Sequence, residues 1–217
     1  MTEPHVPAEA ADIAWMRNLA AEGAAEPLRG GATLLAAGLL FGGATLYQWA
    51  VLSGGLPIAP SSLAIVWPVI TVAFVAFATI HGIRTGRSAG VRTAANRASA
   101  TVWSAVGLGI FTLFVSMGLM GWRMGVEVSA VALGLIPSVI MVFYGLGWAV
   151  SGAMFRSAFL WRLSVASFVA APVLAAFTGS TRQYLVYALC LFALMALPGW
   201  LLMRKVRAAE GPGSGQG

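Results

Sequence analysis

The chain has little charge, and almost no acid where chemistry would need it. Only 9% of its 217 residues are charged, against about 25% in soluble domains. Seven are acidic, and beyond residue 29 only Glu127 and Glu210 remain. An ion-coupled carrier or proton relay draws on carboxylates inside or beside the membrane, and this chain offers none deep in an apolar run. Cys190 is the single cysteine, which excludes an intramolecular disulfide. The histidines are His5 and His81, whereas haem held between helices usually takes paired axial ligands. No HExxH, GxSxG, Walker loop or Cys/His cluster occurs. The expectation is therefore a non-enzymatic protein with no catalytic residue, metal or cofactor. The acidic start, with no basic region ahead of an apolar one, also lacks the pattern of a cleavable signal peptide.

Apolar residues are abundant: 59% of the chain, with a mean hydropathy of +0.84. One water-soluble core cannot hide that much apolar surface, so the bilayer is the expected solvent. Six runs long enough to cross a hydrocarbon core at about 1.5 Å per residue lie near 31–53, 62–83, 100–121, 129–151, 159–179 and 184–203. The expected fold is all-α, an integral membrane bundle of six transmembrane helices spanning 30–204. Residues 1–29 precede it, with five acids against two arginines. Within them Ile13, Trp15, Met16, Leu19 and Ala20 share one arc of a helical wheel, which predicts an amphipathic helix. Residues 205–217 end in a Gly-rich stretch and are expected to be a disordered tail.

The segment 84–97 carries Arg84, Arg87, Arg92 and Arg97 and no acid. Read as a cytoplasmic loop, it orients the rest. Its side of the membrane collects eleven of the thirteen Lys and Arg residues, leaving Arg123 and Arg182 opposite. The positive-inside rule then puts both termini in the cytoplasm. Twelve of those thirteen cations are arginine, and Ala and Gly are plentiful, a usage typical of GC-rich bacterial genomes. The expected location is a bacterial inner membrane. A net charge of +6 could suit nucleic acid, but the cations flank apolar runs and no nucleic-acid motif is present. Anionic lipid headgroups are the expected partner, together with a protein partner at the cytoplasmic face. Arg84, Arg87, Arg92 and Arg97 are the candidate contacts.

Trp49, Trp67, Trp103, Trp122, Trp148, Trp161 and Trp200 fall near the ends of the runs, and Trp15 lies on the N-terminal segment. An aromatic belt is the expected reason for all eight. Gly38-x-x-x-Gly42, Ala78-x-x-x-Gly82 and Gly147-x-x-x-Ser151 have the spacing of close helix crossings and are expected to pack internally. Pro68, Pro137, Pro172 and Pro198 each withdraw a backbone donor from a helix. Gln48, flanked by Tyr47 and Trp49, is the most unusual polar group at depth. It is expected to tie helices together, or with Tyr47 and Trp67 to line a small outward pocket. Function rests on contacts in the leading expectation. The alternative is a small carrier or channel for an uncharged or anionic solute, built on the Pro-containing helices.

Overall fold

The computed structural model describes residues 30–88, 93–124 and 130–210. Among them every element is helical and there is no strand. The order is α1 (Gly31–Leu52), a 3-10 turn (Pro60–Ser62), α2 (Leu63–Ser88), α3 (Ala94–Met124), α4 (Ala130–Met154) and α5 (Ala158–Ala176). The last span is composite: α6 (Arg182–Leu191), a π-helical turn (Phe192–Ala196) and α7 (Leu197–Glu210). Six helices among the described residues are long and apolar enough to cross a membrane, the mark of a multi-pass membrane protein. Each coincides with one of the six expected runs. The acidic segment 1–29, on which the amphipathic helix was expected, Arg92, Glu127 and residues 211–217 lie outside the described residues.

Local chemistry explains where the helices stop. After α1, Gly54 adopts φ 77°, the left-handed conformation that glycine accepts without a Cβ penalty. The Leu56 N–H then returns to Ala50 O at 3.1 Å. Pro60 opens the 3-10 turn, where its fixed φ and missing N–H cost nothing. Gly179, at φ 84°, makes the corresponding turn before α6. Thr93 caps α3: its Oγ1 accepts the Asn96 N–H at 3.3 Å, the usual N-cap contact.

Three helices overrun their apolar runs. α2 continues to Ser88, α3 begins at Ala94, and α7 reaches Glu210. The segment 84–97 is therefore mostly helix ends rather than an open loop, and the expected disordered tail is helical as far as Glu210. Arg, Lys and Ala are strong helix formers, so a helix leaving the apolar region continues until something breaks it. At 31 residues, α3 is about 46 Å long, well beyond a 30 Å hydrocarbon core.

α1, α4, α5 and the composite span form the core, with α4 and α5 the most extensively paired helices. Its apolar centre includes Met141, Trp148, Leu174 and Leu191, all nearly inaccessible. α2 lies against α1, and α3 against α4. Both present apolar side chains around most of their circumference, among them Ile65, Val72, Leu108 and Phe111.

Small residues set the tightest crossing. A Cβ built on Gly38 would collide with the backbone of Ala196, and one on Gly31 would come within 2.6 Å of Gly199 O. On Gly42 it would meet the Phe192 ring at 2.8 Å. Gly38-x-x-x-Gly42 is thus an internal seam between α1 and the last span. Gly147-x-x-x-Ser151 is internal too, lying under the Trp103 ring of α3. Ala78-x-x-x-Gly82 departs from expectation, since a Cβ on Gly82 meets nothing within 4 Å. Ala78 is half-buried one turn beyond Phe74, on the line that faces α1, whereas Gly82 is exposed.

Candidate functional site

Consider first the three residues of the expected outward pocket. Tyr47, Gln48 and Trp67 are all half-buried, and their polar atoms engage one another's helices. The Trp67 indole N–H donates to Gln48 Oε1 at 3.1 Å. The Tyr47 hydroxyl donates to Ser62 Oγ at 3.0 Å. α1 carries Tyr47 and Gln48; the turn before α2 and its first helical residues carry Ser62 and Trp67. These two hydrogen bonds tie α2 and the turn before it to α1, with the Phe41 and Phe74 rings edge-to-face 5.2 Å apart deeper along the seam. The geometry is that of a tie. A recess of about 500 Å³ does occur, at the far end of α3, but Leu119, Met120, Arg123 and Met124 line it and none of the three belongs to it.

The arginines sit on helix ends. Arg84 is exposed on the last turns of α2, and Arg97 is exposed on the first turn of α3. Each already has an interaction partner within the chain. Arg87 lies within α2 by its backbone, and Arg92 lies beyond the described residues. Nearby, the His81 and Phe77 rings stack in parallel with centroids 5.6 Å apart. Cations also cluster on α7, where Arg204 lies over the Trp200 ring at 4.8 Å and Lys205 over Phe159 at 5.4 Å. Such ring platforms steady a long cationic side chain near a membrane boundary.

The remaining polar groups tie the core together. Ser99 and Ser151 share a hydrogen bond at 3.0 Å, and the Trp103 indole donates to Ser151 Oγ at 3.2 Å, linking α3 to α4. Ser164 of α5 donates to Gly145 O of α4 at 2.8 Å. Gln183, one residue before the apolar run near 184–203, is fully buried in the first turn of α6. Its Nε2 donates to Gly134 O at 2.6 Å and Leu174 O at 3.0 Å, with Thr178 Oγ1 at 3.3 Å. One amide thereby joins α4, the end of α5 and α6. Sequence reasoning missed it because a glutamine beside an arginine at a run boundary reads as interfacial.

Two tryptophans also leave the expected belt. Trp148 is wholly buried, donates its indole N–H to Leu194 O at 3.2 Å, and meets the half-buried Trp103 edge-to-face at 4.8 Å. Trp103 lies against Trp148, and Trp148 faces the last span, so helix neighbours enclose these two rings. Trp122, by contrast, is 83% exposed, as a belt residue should be.

Among the described residues no group of three His, Cys, Asp or Glu side chains could hold a metal ion. One buried side-chain polar atom among them, Ser138 Oγ, has no hydrogen-bond partner. No family model, curated protein or solved structure matches this chain.

Proposed function

We propose that this is a non-enzymatic, multi-pass protein of a bacterial inner membrane, with both termini cytoplasmic, that acts by contacting a partner protein. The contact surface is the segment 84–97 together with the flanking helices α2 and α3, the arginines meeting the partner or anionic headgroups at the cytoplasmic face. The observation that carries this reading is the separation between the two halves of the molecule. The core uses Ser151, Ser164 and Gln183 for contacts among its own helices and with α3, while none of the most apolar stretch of α2 and only 6% of that of α3 is buried. Helices attached along one narrow line leave their other faces open to lipid or to another membrane helix. α2 and α3 are also the pair that the arginine segment joins. Membrane-plane and headgroup-level contacts would thus come from one continuous stretch of chain.

The test is affinity purification in mild detergent followed by mass spectrometry, comparing the native chain with an Arg84→Glu, Arg87→Glu, Arg92→Glu, Arg97→Glu variant. A protein that co-purifies with the native chain should be lost from a variant that remains folded. Recovery of the same set of proteins by both, or of none by the native chain, overturns the reading. The orientation is tested separately by a reporter fused after Lys205, which should be active in the cytoplasm only.

A further inference from the structure

We infer that Trp148 is a positioning residue for the last span: it supplies the hydrogen bond that Pro198 withholds, and so fixes the bend from which α7 emerges. Proline has no N–H, so Leu194 O, four residues back, loses the donor an α-helix would provide. The chain around it is not α-helical. Phe192–Ala196 forms a π turn, and the Leu197 N–H reaches Phe192 O, five residues back. A widened turn of this kind relieves the clash between a proline ring and the preceding carbonyls. An exposed carbonyl could turn to water, but Leu194 and Pro198 are both buried. In an apolar interior a carbonyl without a donor is costly. The Trp148 indole N–H, 3.2 Å away and fully enclosed, takes that place.

The bend is gripped from both sides. Opposite Trp148, Ala196 and Gly199 lie against Gly38, Leu35 and Gly31 of α1, with no room for a Cβ on any of the three glycines. Trp148 is itself held by Trp103, whose indole is anchored on Ser151. The fixed element is α7, which presents Arg204, Lys205 and Arg207 at its end. The direction of that cationic end is therefore set from α4, across the core. A π turn holds one more residue than an α turn. Its collapse would rotate everything beyond it by about 100°, carrying Ala196 and Gly199 off the α1 seam.

The experiment compares amide hydrogen–deuterium exchange over residues 192–203 in the full-length protein and three variants: Trp148→Phe, Pro198→Ala and the double substitution. Trp148→Phe keeps an aromatic ring and removes the donor, and exchange should quicken at least tenfold. Pro198→Ala restores a backbone N–H to Leu194 O and should exchange no faster than the native chain. In the double variant the restored N–H makes the indole dispensable, and exchange should return to within about threefold of native. Loss of ring volume alone would not be repaired by a backbone amide 50 residues away. A double variant as fast as Trp148→Phe overturns the inference. Should Trp148→Phe yield no folded protein, the double variant is expected to fold, and its failure to do so overturns the inference equally.

Discussion

α1 and α2 lie side by side and both are long enough to span a bilayer, yet their environments are opposite. The best window of α2 has a mean hydropathy of 2.4 and none of it is buried; that of α1 has 1.4 and 39% of it is buried. In water the more apolar helix would be the more hidden. In lipid that pressure disappears, because the tails are as apolar as leucine. What selects a helix for the core is its ability to come close and to pair polar groups. α1 contributes Gly31, Gly38 and Gly42 to a backbone-to-backbone seam. α2 contributes valines, isoleucines and phenylalanines that suit a lipid-facing surface. Small residues and matched carbonyls thus define the inside of this molecule, and bulk apolarity its outside.

The largest effect should come from breaking the seam. Gly38→Leu drives a side chain into the Ala196 backbone, which cannot yield as a flexible side chain would. Overpacking of this kind costs about 3 kcal/mol or more. The expected outcome is a sharp fall in the midpoint of SDS-induced unfolding followed by circular dichroism, or loss of monodisperse protein altogether. The matched control is Gly82→Leu on α2, where the added side chain meets open space. It should stay within about 0.5 kcal/mol of native. Equal losses at the two sites would erase the distinction between core and periphery.

A middling effect is expected from Gln183→Leu. It removes the only donor that Gly134 O, Leu174 O and Thr178 share. Leu174 O keeps the Phe177 N–H and Gly134 O the Thr178 hydroxyl, so losing the shared amide should cost about 1 kcal/mol. The same unfolding assay reads it. A change near zero would mean that the three acceptors find other donors and that Gln183 is not what joins α4, α5 and α6.

Much of the span architecture was legible, and the reason is physical. Twenty or so apolar residues between polar boundaries admit one cheap arrangement in a bilayer, so six runs became six helices. Helix ends were less legible because hydropathy marks the edge of the lipid while propensity and capping mark the edge of the helix. The run beginning near 100 gave no sign that Thr93 caps a helix from Ala94. The seam through Gly38 was visible as spacing, but at the identical spacing of Ala78 and Gly82 a Cβ on Gly82 meets nothing, since spacing does not reveal how far along a helix its neighbour reaches. Gln48 was singled out as a tie between helices, but its partner Trp67 was grouped with it only as part of a pocket. Trp148 was misread as a belt residue because burial depends on which helix lies opposite, and that is a tertiary fact. Pro198 was noticed, but the residue that answers its missing N–H lies 50 positions upstream.

The smallest effect concerns how α2 is held, and it sharpens the contrast most finely. If the periphery hangs on a narrow seam with few polar ties, removing the Trp67–Gln48 bond should matter little to the fold and measurably to that seam. Membrane hydrogen bonds average about 0.6 kcal/mol in double-mutant cycles, because either partner, once freed, finds other company. Gln48→Leu and Trp67→Phe should each therefore destabilise by about 1 kcal/mol or less, and together by less than their sum. The interaction term should be near 0.6 kcal/mol. Gln48 and Trp67 are half-buried rather than enclosed, which keeps the cost of leaving one unpaired low. A coupling of several kcal/mol would mean that α2 is as firmly built in as α1. A coupling of zero, with both single variants fully stable, would mean that the rings at Phe41 and Phe74 hold the helix and that the polar pair merely accompanies them.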